Sequence, residues 1–371
     1  MYGYHPTITL TLRWLGFSFG LSKILSFRLW LTDRSFPLLP IADFTASFPN
    51  LLHTGLFALS MVCLLLLMIK PDKRILIILL VSETVSCLAD WNRLQPWEYF
   101  FLFLLLAATL NRTAQQQAKH WTWIISGLYF YSGFYKIDQG FVYGSFQNLI
   151  LIKFLGMTKV PAWLLTFGYL PGILEMLAGI GLLFTRSVKV SAWFLISMHI
   201  LILLVLGPLG VNQNNVVWPW NVFMIYMLWI ILGKPLHASL KPELRLQDAV
   251  VILAWWIMPV FHLFGYWDAY LSGALYGGKA GQLYICPEDR SCFPVSTAAA
   301  LQRSKKIPCE SAVSVYRWAM SEMNIVPYPS NKCYKMLAMK WEAACPGNNH
   351  YFIVRSGFTY RVQEIHPGTT H

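Results

Sequence analysis

Ionisable side chains inside long apolar stretches are the residues of this sequence best suited to chemistry. Lys136 ends an aromatic run that starts at Tyr129, and Glu175 lies inside the apolar stretch Pro171–Gly179. A lysine held among aromatic rings can lose its proton and act as a general base, and a glutamate buried in apolar surroundings either pairs with a cation or stays protonated. We predict that Lys136 and Glu175 are catalytic. The alternatives are a Lys136–Asp138 pair at the membrane surface and a structural pair between helices at Glu175.

A third candidate catalytic residue is His199, which lies in the apolar stretch Val190–Leu206. The loop that follows, Gly207–Asn215, is rich in amides and has no charged residue. Amides without partners are costly beside lipid, so we expect them to line a cavity or to hold the loop. A hydrogen-bonded packing role is the alternative for His199. The residues of this region that we predict to bind substrate are Asn212, Asn214, Trp218 and Asn221.

A further polar cluster, Asp90–Glu98, separates two apolar stretches. Its density of hydrogen-bonding groups predicts a polar pocket beside the membrane, with Glu175 as the floor. The alternative is a helix connector in which Asp90 pairs with Arg93 and Pro96 starts the next helix. No spacing of cysteine and histidine typical of zinc occurs in the sequence, so we predict no metal site. The predicted substrate-binding residues here are Asp90, Asn92, Arg93 and Gln95, with Asp138 added from the lysine region.

Composition indicates which kind of element must position these residues. Of 371 residues, 56% are hydrophobic and 12% are charged, whereas soluble domains have about 25% charged residues. Lipid must therefore solvate most of the surface, and the 16 tryptophans and 18 tyrosines suit the headgroup level. The net charge of +12 comes largely from basic residues in short loops. We expect a lipid bilayer around the chain and no nucleic-acid partner.

Apolar stretches predict about nine membrane-spanning helices, because a helix of about 20 apolar residues crosses a bilayer. Residues 1–31 do not resemble a cleaved signal peptide, since Arg13, Lys23 and Arg28 interrupt the apolar run. The predicted spans are Leu10–Leu31, Leu51–Ile69, Ile75–Leu88, Trp97–Leu110, Trp121–Tyr135, Trp163–Phe184, Val190–Leu206, Val216–Leu232 and Ala249–Tyr266.

Basic residues in alternate loops predict the orientation of these spans. Loops after the second, fourth, sixth and eighth spans carry the basic residues Lys70–Arg74, Arg112–Lys119, Arg186–Lys189 and Lys234–Arg245. Such loops lie on the cytoplasmic side. Lys153 and Lys159 after the fifth span weaken the bias. We predict a cytoplasmic N-terminus, an extracytoplasmic C-terminal domain and a location in a bacterial inner membrane.

Residues 267–371 are predicted to form a separate external domain. Disulfides persist in oxidising compartments, and the odd number of cysteines leaves one thiol over or paired elsewhere. We expect helices at Glu310–Met323 and from Ser330 to Ala344, and a β-hairpin over Tyr351–Glu364 around Ser356 and Gly357. The disulfide candidates are Cys286, Cys292, Cys309, Cys333 and Cys345. The predicted fold is therefore an all-α polytopic membrane bundle at residues 1–266, followed by a small α+β domain containing disulfides.

Residues 10–285 resemble the HTTM (horizontally transferred transmembrane) family, which includes the vitamin K-dependent γ-carboxylase. Tyr129–Asp138 is similar to a carboxylase segment in which an aromatic helix runs through a glycine into Lys-Leu-Asp. The resemblance implies that Lys136 is the catalytic base. His199 and the amide-rich loop resemble a family histidine followed by asparagines. Two features differ: Tyr135 stands where the carboxylase has a second lysine, and Asp90–Glu98 has no histidine.

Glycines in two of the predicted spans are also informative. Gly127 and Gly133 would allow close approach of another helix to the aromatic run. Leu174 and Glu175 with Gly179 and Gly181 are similar to a pattern in DoxX/MauE-type membrane proteins, which are linked to quinone and thiol redox. The resemblances imply modification or maturation of an exported peptide or protein, with a quinone as the cofactor to expect. The alternatives are a thiol–quinone redox helper and a non-enzymatic scaffold or anchor for an envelope protein.

Overall fold

Helices dominate the computed structural model, which describes residues 4–233, 240–243, 245–277, 281–288, 300–302, 307–309, 312–356 and 360–367. Helices follow one another up to Phe264, and a small antiparallel sheet with two helices follows them. This order confirms a mostly helical chain whose C-terminal region mixes strands and helices. The division into two domains at residue 266 stays a prediction.

Twelve α-helices precede the sheet in the described part of the chain. They are α1 (Pro6–Leu25), α2 (Phe27–Trp30), α3 (Asn50–Ile69), α4 (Lys73–Leu88), α5 (Pro96–Leu110), α6 (Ala114–Lys136), α7 (Gln139–Phe141), α8 (Ala162–Thr166), α9 (Leu170–Gly181), α10 (Val188–Leu206), α11 (Trp218–Gly233) and α12 (Leu246–Ile252). Local sequence sets several starts. Asp72 and Thr113 cap α4 and α6 by accepting backbone N–H bonds, and α5 begins at Pro96 as predicted.

Five helices of the described part are long and apolar enough to cross a membrane. They are Asn50–Ile69, Ala162–Gly181, Val188–Leu206, Asn215–Leu232 and Leu246–Phe264. The chain is therefore built as an integral membrane protein. Four further predicted spans correspond to α1, α4, α5 and α6; α4 and α5 have 16 and 15 residues, fewer than the roughly 20 that cross a bilayer. The count of nine spans stays a prediction.

One helical segment was not predicted. Val142–Phe154, a π-helical stretch, occupies the loop expected after the fifth span. It follows α6 and α7 directly and ends shortly before α8. Lys153 lies in its last turn.

Glycines bring α6 against α9 and against the segment after α12. A Cβ at Gly133 would lie 2.3 Å from Met176 N, and one at Gly179 would lie 2.6 Å from Phe130 N. A Cβ at Gly127 would lie 2.7 Å from Trp255 O. Only glycine permits such approach, as small residues do where membrane helices cross. The predicted roles of Gly127 and Gly133 are confirmed.

The C-terminal sheet has five strands among the described residues, in the order β2-β3-β1-β4-β5, with every described pair antiparallel. The strands are β1 (Gln282–Cys286), β2 (Leu301–Gln302), β3 (Ala312–Ser314), β4 (His350–Arg355) and β5 (Arg361–Ile365). The predicted hairpin is confirmed, since β4 pairs with β5 and Phe352 lies opposite Glu364. Its tip at Gly357 lies outside the described residues.

Two helices pack on this sheet, α13 (Val315–Met323) and α14 (Asn331–Ala344). The first starts later than predicted, because β3 occupies residues 312–314; Glu310 lies outside the described residues. The second starts after Ser330 as predicted. Trp318, Leu337 and Trp341 bury the apolar faces of the two helices in the core.

Cys286 and Cys309 form a disulfide that ties β1 to the segment before β3. Cys345 is also disulfide-bonded, and Cys292 lies outside the described residues. Cys333 is a free, buried thiol, so it was wrong as a disulfide candidate, although an odd cysteine had been expected. Burial raises the pKa of the Cys333 thiol, and a buried thiol of high pKa reacts slowly.

The C-terminal sheet and its two helices pack on the turns at one end of the bundle. The Glu322 carboxylate accepts hydrogen bonds from Ser35 Oγ at 2.7 Å and from Phe36 N at 2.9 Å. Asn324 Nδ2 donates to Leu25 O at 2.9 Å. The ring of Trp318 packs on that of Phe36, with centroids 4.7 Å apart. These contacts hold the domain over one end of the helices.

Candidate functional site

Lys136 and Glu175 form a buried ion pair between α6 and α9. Lys136 Nζ donates to the Glu175 carboxylate and, at 3.0 Å, to Ser132 Oγ. The two residues are 8% and 3% exposed. Of the two alternatives predicted for Glu175, a buried cationic partner or a protonated carboxyl, the structure shows the cationic partner. The alternative Lys136–Asp138 pair is wrong, because Asp138 instead caps α7 by accepting from Gly140 N at 2.7 Å.

His199 belongs to a second buried chain of hydrogen bonds. Asn221 Nδ2 donates to Val217 O at 2.8 Å, which leaves Asn221 Oδ1 facing His199 Nδ1 at 2.7 Å. An amide oxygen only accepts, so Nδ1 carries the proton. The other nitrogen of a neutral ring then accepts from the Tyr129 hydroxyl, 2.6 Å away. Tyr129 and Lys136 both lie on α6, so one helix contacts both predicted catalytic groups, His199 and Glu175.

The turn between α4 and α5 is tied into the protein. Asp90 pairs with Arg34, so the predicted Asp90–Arg93 pair is wrong. Arg93 instead donates to the carbonyls of Leu29, Trp30 and Ser86 at 3.0–3.2 Å. Burial lowers the pKa of Arg93 to about 10, which leaves it charged at neutral pH.

Asn92 and Gln95 of the same turn bind the C-terminal region. Asn92 Oδ1 accepts from Tyr328 N at 3.0 Å, and Gln95 Nε2 donates to Val326 O at 3.1 Å. Neither residue is more than 4% exposed. These two predicted substrate-binding residues therefore stabilise the contact between the turn and the C-terminal region. Gln95 also lines the cavity described next.

A cavity of about 500 Å³ lies between the bundle and the C-terminal region. Of the predicted substrate-binding residues, the described lining includes Gln95 and Asn214. Lys136, Glu175 and His199 are not among its described lining residues, so Glu175 is not its floor. The lining has the cations Lys153 and Arg317 and, in the described part, no carboxylate. The tyrosines of the described lining are Tyr135, Tyr270, Tyr276, Tyr284, Tyr316 and Tyr334.

Three buried polar atoms of this lining have no hydrogen-bond partner in the described part of the chain. They are Asn214 Oδ1, Trp97 Nε1 and Trp220 Nε1. Buried polar groups are nearly always paired, so such atoms point to a ligand or to water. Two donors and one acceptor together suit a ligand that carries both kinds of group.

Neutral tyrosine hydroxyls complete the lining. Burial raises the pKa of Tyr276 to about 12 and also raises the pKa of Tyr316 and Tyr334. All three hydroxyls therefore keep their protons at neutral pH and can donate. Asn214 has a positive φ of 53°, a conformation that asparagine tolerates better than most residues.

The other residues predicted in the amide-rich loop are separated. Asn212 also has a positive φ, of 47°, and is not among the described lining residues of the cavity. Trp218 Nε1 is buried without a partner in the described part. Asn221 supports His199 rather than the cavity. The predicted site residues are therefore divided among the cavity, the Lys136–Glu175 ion pair and the hydrogen-bond chain of His199.

Sequence reasoning missed two further clusters. Asp248 accepts from Lys119 Nζ at 2.8 Å and lies 2.7 Å from His120 Nε2, which joins α12 to α6. Lys23 pairs with Glu83 inside the bundle. Charged residues inside the predicted spans were the available signal for the second cluster, because such residues in membrane helices face partners.

No group of three or more His, Cys, Asp or Glu side chains that could hold a metal occurs among the described residues. The assembled candidate site is an aromatic, cationic cavity at the end of the bundle on which the C-terminal region packs. Lys136 of the Lys136–Glu175 pair directly follows Tyr135 on α6, and Tyr135 lines the cavity. Comparisons with protein-family models, characterised proteins and solved structures found no match to this chain.

Proposed function

We propose that this protein is an HTTM-like membrane protein that binds an exported peptide or protein segment in its outer cavity and modifies it. The observation that carries the proposal is the cavity of about 500 Å³ with its three unpartnered polar atoms. Ligand sites have volumes of about 300–1,000 Å³ and a few convergent polar groups.

A peptide backbone matches these atoms in kind. The indole N–H groups of Trp97 and Trp220 donate to peptide carbonyls, and Asn214 Oδ1 accepts from a peptide N–H. Neutral tyrosine hydroxyls add donors along the wall. The ligand also enters from the side where the external domain docks, as expected for an exported chain.

The proposal includes the predicted topology of about nine spans, a cytoplasmic N-terminus and a bacterial inner membrane. The Cys286–Cys309 disulfide supports an oxidising compartment for the external domain. Binding of an envelope protein by a non-enzymatic scaffold is the second candidate. The docking of the external domain on its own bundle speaks against that candidate, because Glu322, Asn324 and Trp318 are already used.

In the enzymatic part of the proposal, Lys136 is the base. Its ammonium contacts the Glu175 carboxylate, so Glu175 is the group that receives the proton when Lys136 becomes a neutral amine, one residue along α6 from Tyr135 of the cavity lining. His199 and Tyr129 position α6 and α10 around this pair. No step of the proposal passes through a quinone. The redox alternative has less support, because Cys333 is buried and Cys286 is paired with Cys309.

Native mass spectrometry of the protein in lipid nanodiscs tests binding. We expect a co-purified mass of peptide size on the wild type, reduced at least about tenfold when two donors are lost in Trp97→Phe/Trp220→Phe, since each buried hydrogen bond contributes about 1 kcal/mol. Trp163→Phe is the control, because Trp163 is 65% exposed on the bundle surface. No adduct on the wild type, or equal adducts on all three proteins, contradicts the proposal.

The same measurement tests catalysis. Lys136→Ala should keep the peptide but change its mass to that of the unmodified species, because Lys136 is not part of the described cavity lining. An identical peptide mass in wild type and Lys136→Ala would leave a binding protein without the assigned base.

A further inference from the structure

A second buried ionic cluster lies in the bundle, apart from the Lys136–Glu175 pair. Lys23 of α1 donates to Glu83 Oε2 of α4 at 2.7 Å, and both side chains are 0% exposed. Lys23 Nζ also lies 3.1 Å from the centroid of the Trp30 ring. One ammonium thus balances one carboxylate, with an aromatic face on the other side of the cation.

Glu98, in the first turn of α5, is a second carboxyl in this cluster and is also 0% exposed. Cys87 Sγ lies 4.0 Å from Glu98 Oε1, and Glu83 lies one turn before Cys87 on the same face of α4, so the two carboxyls are neighbours. A carboxylate has only acceptors, so two ionised carboxylates cannot bond to each other. Glu83 Oε1 and Glu98 Oε2 have no donor in the described part of the chain.

No second cation balances Glu98 among the described residues. The N–H groups of the neighbouring Arg93 donate to Leu29, Trp30 and Ser86, which are neutral acceptors. Arg34 pairs with Asp90. In the described part of the chain, no Lys, Arg or His nitrogen forms an ion pair with Glu98. An ionised Glu98 would be a buried charge beside another carboxylate, which costs several kcal/mol or more.

We propose that Glu83 and Glu98 bind one proton between them, so that Glu98 is a neutral carboxylic acid that donates to the Glu83 carboxylate. A single proton gives Glu83 Oε1 a hydrogen-bond donor and turns Glu98 Oε2 into a hydroxyl group. Lys23 then holds the remaining negative charge. The site is a membrane-buried proton-binding site, and it is independent of the ligand proposed for the outer cavity.

Infrared spectroscopy of the reconstituted protein with ¹³C-labelled glutamate tests this assignment. At neutral pH the wild type should show one glutamic acid carbonyl band that shifts in D₂O and vanishes in Glu98→Gln. Glu322→Gln is the control, since Glu322 receives hydrogen bonds from Ser35, Phe36 and Trp318 and is expected to be ionised. Absence of the band in the wild type overturns the proposal without any variant.

A second variant separates the two carboxyls. In Glu83→Gln, Lys23 loses its carboxylate, so Glu98 should give up its proton and become the new counter-ion. The band should then disappear although Glu98 is still present. A band that persists in Glu98→Gln would assign the proton to another glutamate, and a band that persists in Glu83→Gln would show that the proton is not shared with Glu83. Either result refutes the shared site.

Discussion

Replacing Gly133 by alanine probes the contact that brings Lys136 to Glu175. The added Cβ would lie 2.3 Å from Met176 N and 2.5 Å from Gly172 O, both backbone atoms. Carbon contacts lie at about 3.5–4.0 Å, so α6 and α9 must separate by roughly 1 Å. Overpacking of this kind costs about 1–3 kcal/mol, while alanine is about 0.5–1 kcal/mol better than glycine in a helix. The net expectation is a loss of roughly 1–2 kcal/mol.

Gly55→Ala is the matched control, because Gly55 lies in the α3 helix and a Cβ added there would have no atom within 4 Å. It should be neutral or up to about 1 kcal/mol more stable. Thermal unfolding in nanodiscs, followed by tryptophan fluorescence, gives both values. The two substitutions should shift Tm in opposite directions. Shifts of equal sign and size would refute the close packing of α6 on α9.

Two further predictions concern charged groups. Lys136→Met and Glu175→Gln should each lower the free energy of unfolding by about 3–5 kcal/mol, and the double variant should lose less than the sum; additive losses would contradict the ion pair. Burial raises the pKa of Glu342, but hydrogen bonds from Asn349 and Tyr351 outweigh it and lower the pKa. Because the pKa of Glu342 is lower in the folded state than in the unfolded state, these hydrogen bonds stabilise the fold above the unfolded-state pKa. The stabilisation is lost as the pH falls through the folded-state pKa. In Glu342→Gln the free energy of unfolding should depend less on pH between these two pKa values. An unchanged pH dependence in that range would refute the lowered pKa of Glu342.

Some of the site was predictable because burial of charge in lipid demands a partner. Glu175 inside an apolar stretch required a cation, and the structure supplies Lys136. The sequence did not identify that cation, because the pairing depends on how α6 and α9 cross. Glycines at positions 127 and 133 indicated a close crossing but not the partner helix. The helix starts at Pro96 and after Ser330 were predictable from residue type, because proline suits the first turn of a helix and serine is a preferred N-cap residue.

A polar pocket beside the membrane was predicted, but its lining could not be, since the lining residues come from distant parts of the chain. Trp97 and Trp220 lie on different helices, and Tyr316 and Tyr334 belong to the C-terminal region. The docking role of the turn Asp90–Glu98 could not be predicted for the same reason. Its amides at positions 92 and 95 bind backbone atoms of residues 328 and 326, more than 200 residues later. Polar density alone does not distinguish a docking site from a substrate site.

Lys23 and Glu83 show a different limit. Each is a charge inside a predicted span, but the sequence does not show which of the helices pack against each other. Helices α1 and α4 bring them to 2.7 Å. Every charge inside an apolar stretch therefore merits a search for a partner on each neighbouring helix.

A cryo-EM map of the protein purified in its native lipid tests the central claim most directly. The account predicts continuous peptide-like density in the cavity, in contact with Trp97, Trp220 and Asn214. Density of lipid chains alone in that cavity, or a cavity closed by the protein's own side chains, would contradict it.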